Sequence, residues 1–331
     1  MGKFKRIKDF KWKYLVGLVA PLLGYVYHLL YREERSVRSR LMEDRHTLKE
    51  RIILSFHSPS DYNKVLEEGI NNAQDLTPPR DHRLLESLQL KEYFNGKVWT
   101  YTPEENLSNR LIIYFSGGHR VHPLGEGEWR FISRLSEAVQ ARIIIPYAEP
   151  LNGKRRFREE SARLAALVNE LSLAYCDEEI HFLSSDTGAM FALQVARDLR
   201  KDVLIEELIV MSPWLTSSNE GLDKAVQEDH DYGIDLAKEI AIRTLWEKVD
   251  ESVDLSGIET EGSPCLRFIV GTYDRHYEQV KNFYQRMKAV DPQTAFYSFD
   301  SMPHDFHLLH LLEAKEAQNL VAKIIQSPIV F

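Results

Sequence analysis

Cysteine is scarce: Cys176 and Cys265 are the two in 331 residues. Two thiols so far apart form neither a metal-ligand spacing nor a disulfide framework. A single bridge and a reduced pair stay equally open. A basic excess is also lacking. The formal net charge is −8, which argues against a nucleic-acid partner. No internal repeat and no low-complexity tract interrupts the chain, so solenoid architectures drop out. What remains is ordinary globular material. Apolar residues make up 44% and charged residues 28%, enough for a sizeable core and too apolar for wholesale disorder. The length allows one large domain or two modest ones.

The N-terminus differs in kind. Residues 1–13 carry six Lys/Arg and one acid, and residues 14–31, YLVGLVAPLLGYVYHLLY, contain no Asp, Glu, Lys or Arg. As a helix this stretch would be about 27 Å long, close to the thickness of a bilayer core. Trp12, Tyr14, Tyr27 and Tyr31 sit near its ends, where aromatic rings favour the interface. No small-x-small site follows, so an anchor fits better than a cleaved signal peptide. A buried or amphipathic helix is the alternative, with the chain cytoplasmic. The basic flank favours an N-terminus inside and the main domain outside.

Residues 32–51 are charged and helix-friendly, and 56–86 hold turn residues around short helices; together 32–87 is expected to be a helical connector or cap. From 88 onward, LQLKEYFNGKVWTYTP alternates apolar and polar residues around Asn95-Gly96, a strong hairpin signal. Apolar strands are then expected at 111–115, 142–146, 180–183, 208–211, 266–270 and 295–299. Helical patterns fall between and after them at 128–139, 157–173, 189–198, 277–290 and 309–326. Residues 215–262 break the alternation with a polar stretch and a helical pattern at 232–249, and are read as a cap insertion in the 88–331 domain. Alternating α and β with strands apolar on both faces predicts an α/β fold with a doubly wound, mostly parallel sheet. Function in such sheets gathers at the loops after strand C-termini.

Those loops carry chemistry-bearing residues in a telling order. Ser116-Gly117-Gly118-His119 follows the first parallel strand, and its glycines let N–H groups face a cavity. Ser184-Ser185-Asp186-Thr187-Gly188 makes a sharp strand-to-helix turn where hydrolases place G-x-S-x-G. Gly271-Thr272-Tyr273-Asp274 offers an acid, and Ser301-Met302-Pro303-His304 a base. Elbow, acid, histidine is the chain order of one hydrolase architecture.

The collinear run YFSGGH, IIIPYAEP, FLSSDTGAMFALQVA, IVMSPWL, VGTYDRHYEQVKNFYQRM and SMPHDFHLL resembles the α/β-hydrolases, specifically the hormone-sensitive-lipase-like esterases, over roughly residues 88–328. The resemblance implies an α/β-hydrolase fold, a small or lipid-like ester as substrate, and no cofactor. It implies an oxyanion hole at Gly117, Gly118 and the N–H of Thr187. It puts Asp186 at the nucleophile position, with Asp274 orienting His304 as general base. Three departures stand out. Ser116 and His119 replace the outer residues of His-Gly-Gly-Gly, Ser184 replaces the first elbow glycine, and Asp186 replaces serine. A slip that makes Ser185 the nucleophile would leave Thr187 at the small-residue position. Haloalkane dehalogenases and epoxide hydrolases, also α/β-hydrolases, do place an aspartate at this elbow. Two carboxylates beside His304 would favour imidazolium, which cannot accept a proton, so a catalytically silent binding module is a further reading.

Other polar residues have plainer expectations. His119 and His122 are expected in a turn or at the surface, and Glu228-Asp229-His230-Asp231 in a polar loop rather than a metal site. His307 is expected beside His304. Trp214 and Tyr273 are read as cavity wall or core. The basic run at 154–158 is expected to be solvated, or to face lipid headgroups.

Overall fold

A computed structural model describes residues 25–27, 35–53, 62–73, 85–104, 107–151, 155–219, 230–249, 253–258 and 265–327. Apart from 25–27, the expected span at 14–31 lies outside them. Among the described residues no helix is long and apolar enough to cross a membrane.

Eight strands form one sheet: β1 (Leu88–Tyr93), β2 (Gly96–Tyr101), β3 (Arg110–Phe115), β4 (Arg142–Pro146), β5 (Glu179–Ser185), β6 (Glu207–Met211), β7 (Cys265–Gly271) and β8 (Ala295–Phe299). Their spatial order is β1-β2-β4-β3-β5-β6-β7-β8. β2 runs antiparallel to both its neighbours, and β3 to β8 are parallel. This is the eight-stranded sheet of the α/β-hydrolase fold.

Side chains alternate across the sheet and divide the interior in two. Ile113, Phe182, Val210 and Phe268 face one cluster, which is closed by α4 (Phe157–Ala174), α5 (Gly188–Asp198) and α7 (Tyr277–Val290). Ile112, Leu183, Ile209 and Ile269 face the other, closed by α3 (Glu126–Val139) and α8 (Leu312–Gln326). Helices on both faces bury the central strands completely, which is why those strands read as unbroken apolar runs.

The hairpin turn falls one residue earlier than expected, on Phe94–Asn95, with Tyr93 paired to Gly96. Gly96 instead sits at φ +151°, where an added Cβ would lie 2.2 Å from the Arg163 guanidinium. Two short-range caps also shift boundaries. The helix in the insertion, α6 (Leu236–Val249), begins after Asp235, whose carboxylate accepts the N–H groups of Ala237 and Lys238 at 2.9 and 3.2 Å. The final helix starts at Leu312 because Phe306–Leu308 forms a separate 3-10 turn.

Before the sheet lie α1 (Val37–Ile53) and α2 (Asn63–Ala73). The start of α1 is tied down far along the chain. The Ser36 N–H and hydroxyl both donate to Glu313, at 2.5 and 2.9 Å. Ser39 pairs with the Tyr232 hydroxyl at 3.2 Å.

Candidate active site

β5 ends at Ser185 and α5 begins at Gly188, leaving two residues to reverse direction. Asp186 takes the strained position at φ 50°. Its N–H donates to Met211 O, and its carbonyl accepts from Ala189 and Trp214, all at 3.1 Å. Gly188 is obligatory here, since a Cβ would lie 2.1 Å from Phe115 O and 2.6 Å from Ser116 O. Ser184, at the position of the usual first glycine, is accommodated with its hydroxyl 3.4 Å from Ile209 O. The turn is therefore centred on Asp186. Ser185 is still strand, paired with Met211, and its hydroxyl meets the Tyr114 hydroxyl at 2.8 Å. By strand alternation the side chain of Ser185, the alternative to Asp186, points to the same face as Leu183 and meets Tyr114 there.

Asp274 and His304 arrive from the loops after β7 and β8. His304 Nδ1 lies 3.0 Å from Asp274 Oδ2, and its Nε2 lies 3.4 Å from Asp186 Oδ1, an ion-pair distance off the line of a hydrogen bond. Asp305 Oδ2 is 3.7 Å from the same nitrogen. Asp186, Asp274 and His304 are buried, at 1%, 3% and 3% exposure. Burial opposes the charge on His304, but Asp274, Asp305 and Asp186 outweigh it and hold its pKa well above the ordinary value. Burial would raise both aspartates. For Asp186, His119, His304 and the Gly118 N–H reverse that, and for Asp274, His304 and His276 do so. The resting centre is thus an imidazolium between two carboxylates.

The Asp186 carboxylate reaches the other way as well. Its Oδ2 accepts the Gly118 N–H at 3.0 Å and lies 3.2 Å from His119 Nδ1. A Cβ on Gly117 would stand 2.9 Å from both Cβ and Oδ2 of Asp186, so only glycine permits this approach. Gly117 turns its own N–H to Glu128 at 3.3 Å. The Thr187 hydroxyl accepts the His119 N–H at 2.9 Å. Gly117, Gly118 and Thr187 lie together at the elbow, and of their N–H groups it is that of Gly118 that reaches the Asp186 carboxylate.

Several residues around the centre do more than their sequence context suggested. His119 is buried rather than superficial, and burial lowers its pKa to about 4. Its ring lies 4.4 Å from that of Trp214, tilted by 42°, and Trp246 donates to its carbonyl at 2.9 Å. Asp231 ties two loops together. Its Oδ1 accepts from His304 N at 3.0 Å and Gly233 N at 2.9 Å, and its Oδ2 from Arg275 N at 3.1 Å. Only its place in an acidic run hinted at this. Glu239 on α6 is wholly buried and takes Arg243 Nε at 2.9 Å, His276 Nε2 at 3.1 Å and the Arg275 guanidinium. His307 packs edge-on against Phe131 and Phe306, and its pKa is depressed by burial to about 3.

Two triplets, Asp274–His276–His304 and Asp186–His304–Asp305, present ligand-type atoms within 4.8 Å of one another. A metal at either would have to displace the proton that His304 holds. Beside the elbow lies a hollow of about 60 Å³, bordered by Ser116, Gly117, His122, Thr187, Phe191 and Trp99. That volume holds a few waters or a short apolar group.

This strand order, with a strained elbow after β5, an acid after β7 and a histidine after β8, defines the α/β-hydrolase fold. Solved structures with the same fold include several esterases. A provisionally named esterase from Staphylococcus aureus superposes with a TM-score of 0.68 at 17% identity, over 83% of this chain and 95% of its own. The hyperthermophilic esterase of Pyrobaculum calidifontis gives 0.64 at 14% identity, over 88% and 97%. Carboxyl esterase 2 of Tuber melanosporum gives 0.61 at 14% identity, over 79% and 97%. No family model matches the sequence, and no curated protein matches it.

Proposed function

We propose that this chain is a hydrolase of a small or lipid-like ester or epoxide, with Asp186 as nucleophile, His304 as proton carrier and Asp274 as its orienting acid. One observation carries the reading: a single carboxylate spans the hole donor and the base, with Oδ2 at 3.0 Å from Gly118 N and Oδ1 at 3.4 Å from His304 Nε2. In a serine esterase the hole receives the substrate's carbonyl oxygen. Here Oδ2 already occupies it, which suits chemistry in which the oxyanion forms on the enzyme's own carboxyl group.

The steps balance as follows. Oδ1 forms a bond to the electrophilic carbon as that carbon's bond to the leaving oxygen breaks, and the leaving oxygen takes the bonding pair. The His304 imidazolium gives that oxygen its proton and becomes neutral. Esterification also removes the Asp186 charge that favoured the proton, so His304 can now act as a base. It takes a proton from water as the water attacks Cγ, and negative charge collects on Oδ2 against Gly118 N–H. Collapse breaks the Cγ–Oδ1 bond and expels the product oxygen, which takes the proton that His304 holds, and the carboxylic acid left behind gives water's second proton to His304, restoring carboxylate and imidazolium. A saturated carbon, as in an epoxide, gives an enzyme ester. An ester carbonyl gives a mixed anhydride, a poorer intermediate, so the epoxide is the better fit.

The near-complete burial of Asp186 and His304 favours a second reading, a silent ligand-binding module. Mass spectrometry separates the two. Incubating His304→Ala with a terminal epoxide or p-nitrophenyl butyrate should leave a covalent adduct on the peptide that contains Asp186. Turnover by the parent and loss of turnover in Asp186→Ala complete the case. No adduct and no turnover on either probe would leave the binding module standing.

A further inference from the structure

The cations of this acidic chain are unevenly used. In the basic run once expected to be solvated or lipid-facing, Arg155 pairs with Glu149 at 2.5 Å and approaches Glu160 at 3.7 Å. A different group stands without acid partners. Arg38 at the start of α1, Arg130 and Arg134 on α3, and Lys315 on α8 make no ion pair among the described residues. The three arginines act on His310. Arg130, Arg38 and Arg134 press on its imidazole and lower its pKa. Arg38, Arg134, His310 and Lys315 line one cleft of about 510 Å³ between α1, α3 and α8. Leu312 lines the same cleft with 61% of its surface exposed. Glu313, the acid beside Leu312 on α8, is turned inward and bonded to Ser36, while Glu316 beside Lys315 is exposed.

We propose that this cleft binds the anionic headgroup of a membrane phospholipid, and that it docks the folded domain on an acidic bilayer surface. Three lining cations with no ion pair among the described residues, in a chain of net charge −8, provide the charge complementarity. An exposed leucine beside them fits the boundary between headgroup and acyl chain. Position on the chain points to the same occupant. Arg35 follows the uncharged stretch 14–31 by four residues, a tether of at most about 14 Å. A cleft so close to that stretch meets a surface of phosphates more readily than a free solute. The proposal does not depend on any chemistry at Asp186.

Flotation of the full-length chain with vesicles tests it, comparing phosphatidylcholine alone with phosphatidylcholine containing phosphatidylglycerol. The chain should bind the acidic vesicles, and Arg38→Ala/Arg134→Ala/Lys315→Ala together should weaken that binding on the order of a hundredfold. Lys201→Ala/Arg286→Ala/Lys323→Ala, an equal charge change elsewhere, should weaken it by less than about fivefold. Equal losses in both triple variants would reduce the effect to net charge and overturn the site. Unchanged binding in the cleft variant, or none by the parent, would overturn it too. Should inorganic phosphate shift the His310 resonances while acidic vesicles do not, the cleft serves a soluble anion and the lipid assignment fails.

Discussion

Placing a carboxylate where a hydroxyl usually stands changes two things at once. On the proposed reading it fills the oxyanion hole with Oδ2, and it adds a negative charge 3.4 Å from His304. Asp186→Ser reverses both, freeing the Gly118 N–H and letting the His304 pKa fall toward a range where the ring can accept a proton. The parent is expected to release p-nitrophenol from p-nitrophenyl butyrate only slowly, through the mixed anhydride. The serine variant should exceed it by about a hundredfold, the worth of one hole donor. Equal rates would mean that the carboxylate is not what withholds esterase chemistry. The charged pair also sets a pH signature. Because the folded His304 pKa is raised, its contribution to stability is complete below the unfolded value of about 6.5 and disappears as pH rises through the folded value. Asp186 and Asp274, both lowered, contribute above about pH 4 and lose their effect as pH falls. Urea midpoints of the parent and of His304→Gln should therefore differ most near pH 5–6 and converge on the alkaline side. A gap that widens with alkali would reverse the assigned charge states.

At the scale of elements, strain gathers where strands end. His119, Arg120, Asp186, Ser212, Ser301 and Asp305 all hold positive φ, and each lies in a loop after a strand C-terminus. Tight packing beneath the loops over-determines these conformations. Gly188→Ala would push a methyl into two carbonyl oxygens of the β3 loop, and should cost about 1–3 kcal/mol in denaturant unfolding. Asp231→Ala would strip the acceptor from the N–H groups of His304, Gly233 and Arg275. A loss of about 3 kcal/mol is expected by urea titration, with Asp231→Asn keeping part of it through its remaining carbonyl oxygen. Much of this layout could be read from residue order. Apolar runs located the six parallel strands to within two residues, because burial on both faces leaves no polar alternation to confuse them. The elbow could be read because glycine at 188 is sterically forced. What escaped was long-range pairing. Nothing local distinguishes Asp231 from a solvated loop acid, or His119 from a turn residue. Their roles come from segments far along the chain that close over them.

Across the whole molecule, the insertion helix and the acid loop are joined by buried charge rather than by apolar packing alone. Glu239 on α6 neutralises Arg243 and Arg275, whose side chains are 2% and 1% exposed. Arg243 lies over the Trp214 ring at 4.0 Å, and Trp214 in turn packs against His119 beside Asp186. His276 shares Glu239 and donates its backbone N–H to Asp274 Oδ1 at 2.9 Å. The covering helix, the acid and the elbow thus form one connected set, in which each cation is tolerated only because Glu239 is ionised, its pKa held well below the usual range by His276, Arg243 and Arg275 against burial. Glu239→Ala leaves two buried guanidinium groups uncompensated and should cost on the order of 3–5 kcal/mol by denaturant titration. Adding Arg275→Met should restore part of the loss, because it removes a stranded charge and keeps an apolar stem in place. If the double variant is less stable than Glu239→Ala by the full cost of a second independent lesion, the two residues do not act as a pair, and the helix is held over the site by its apolar face alone.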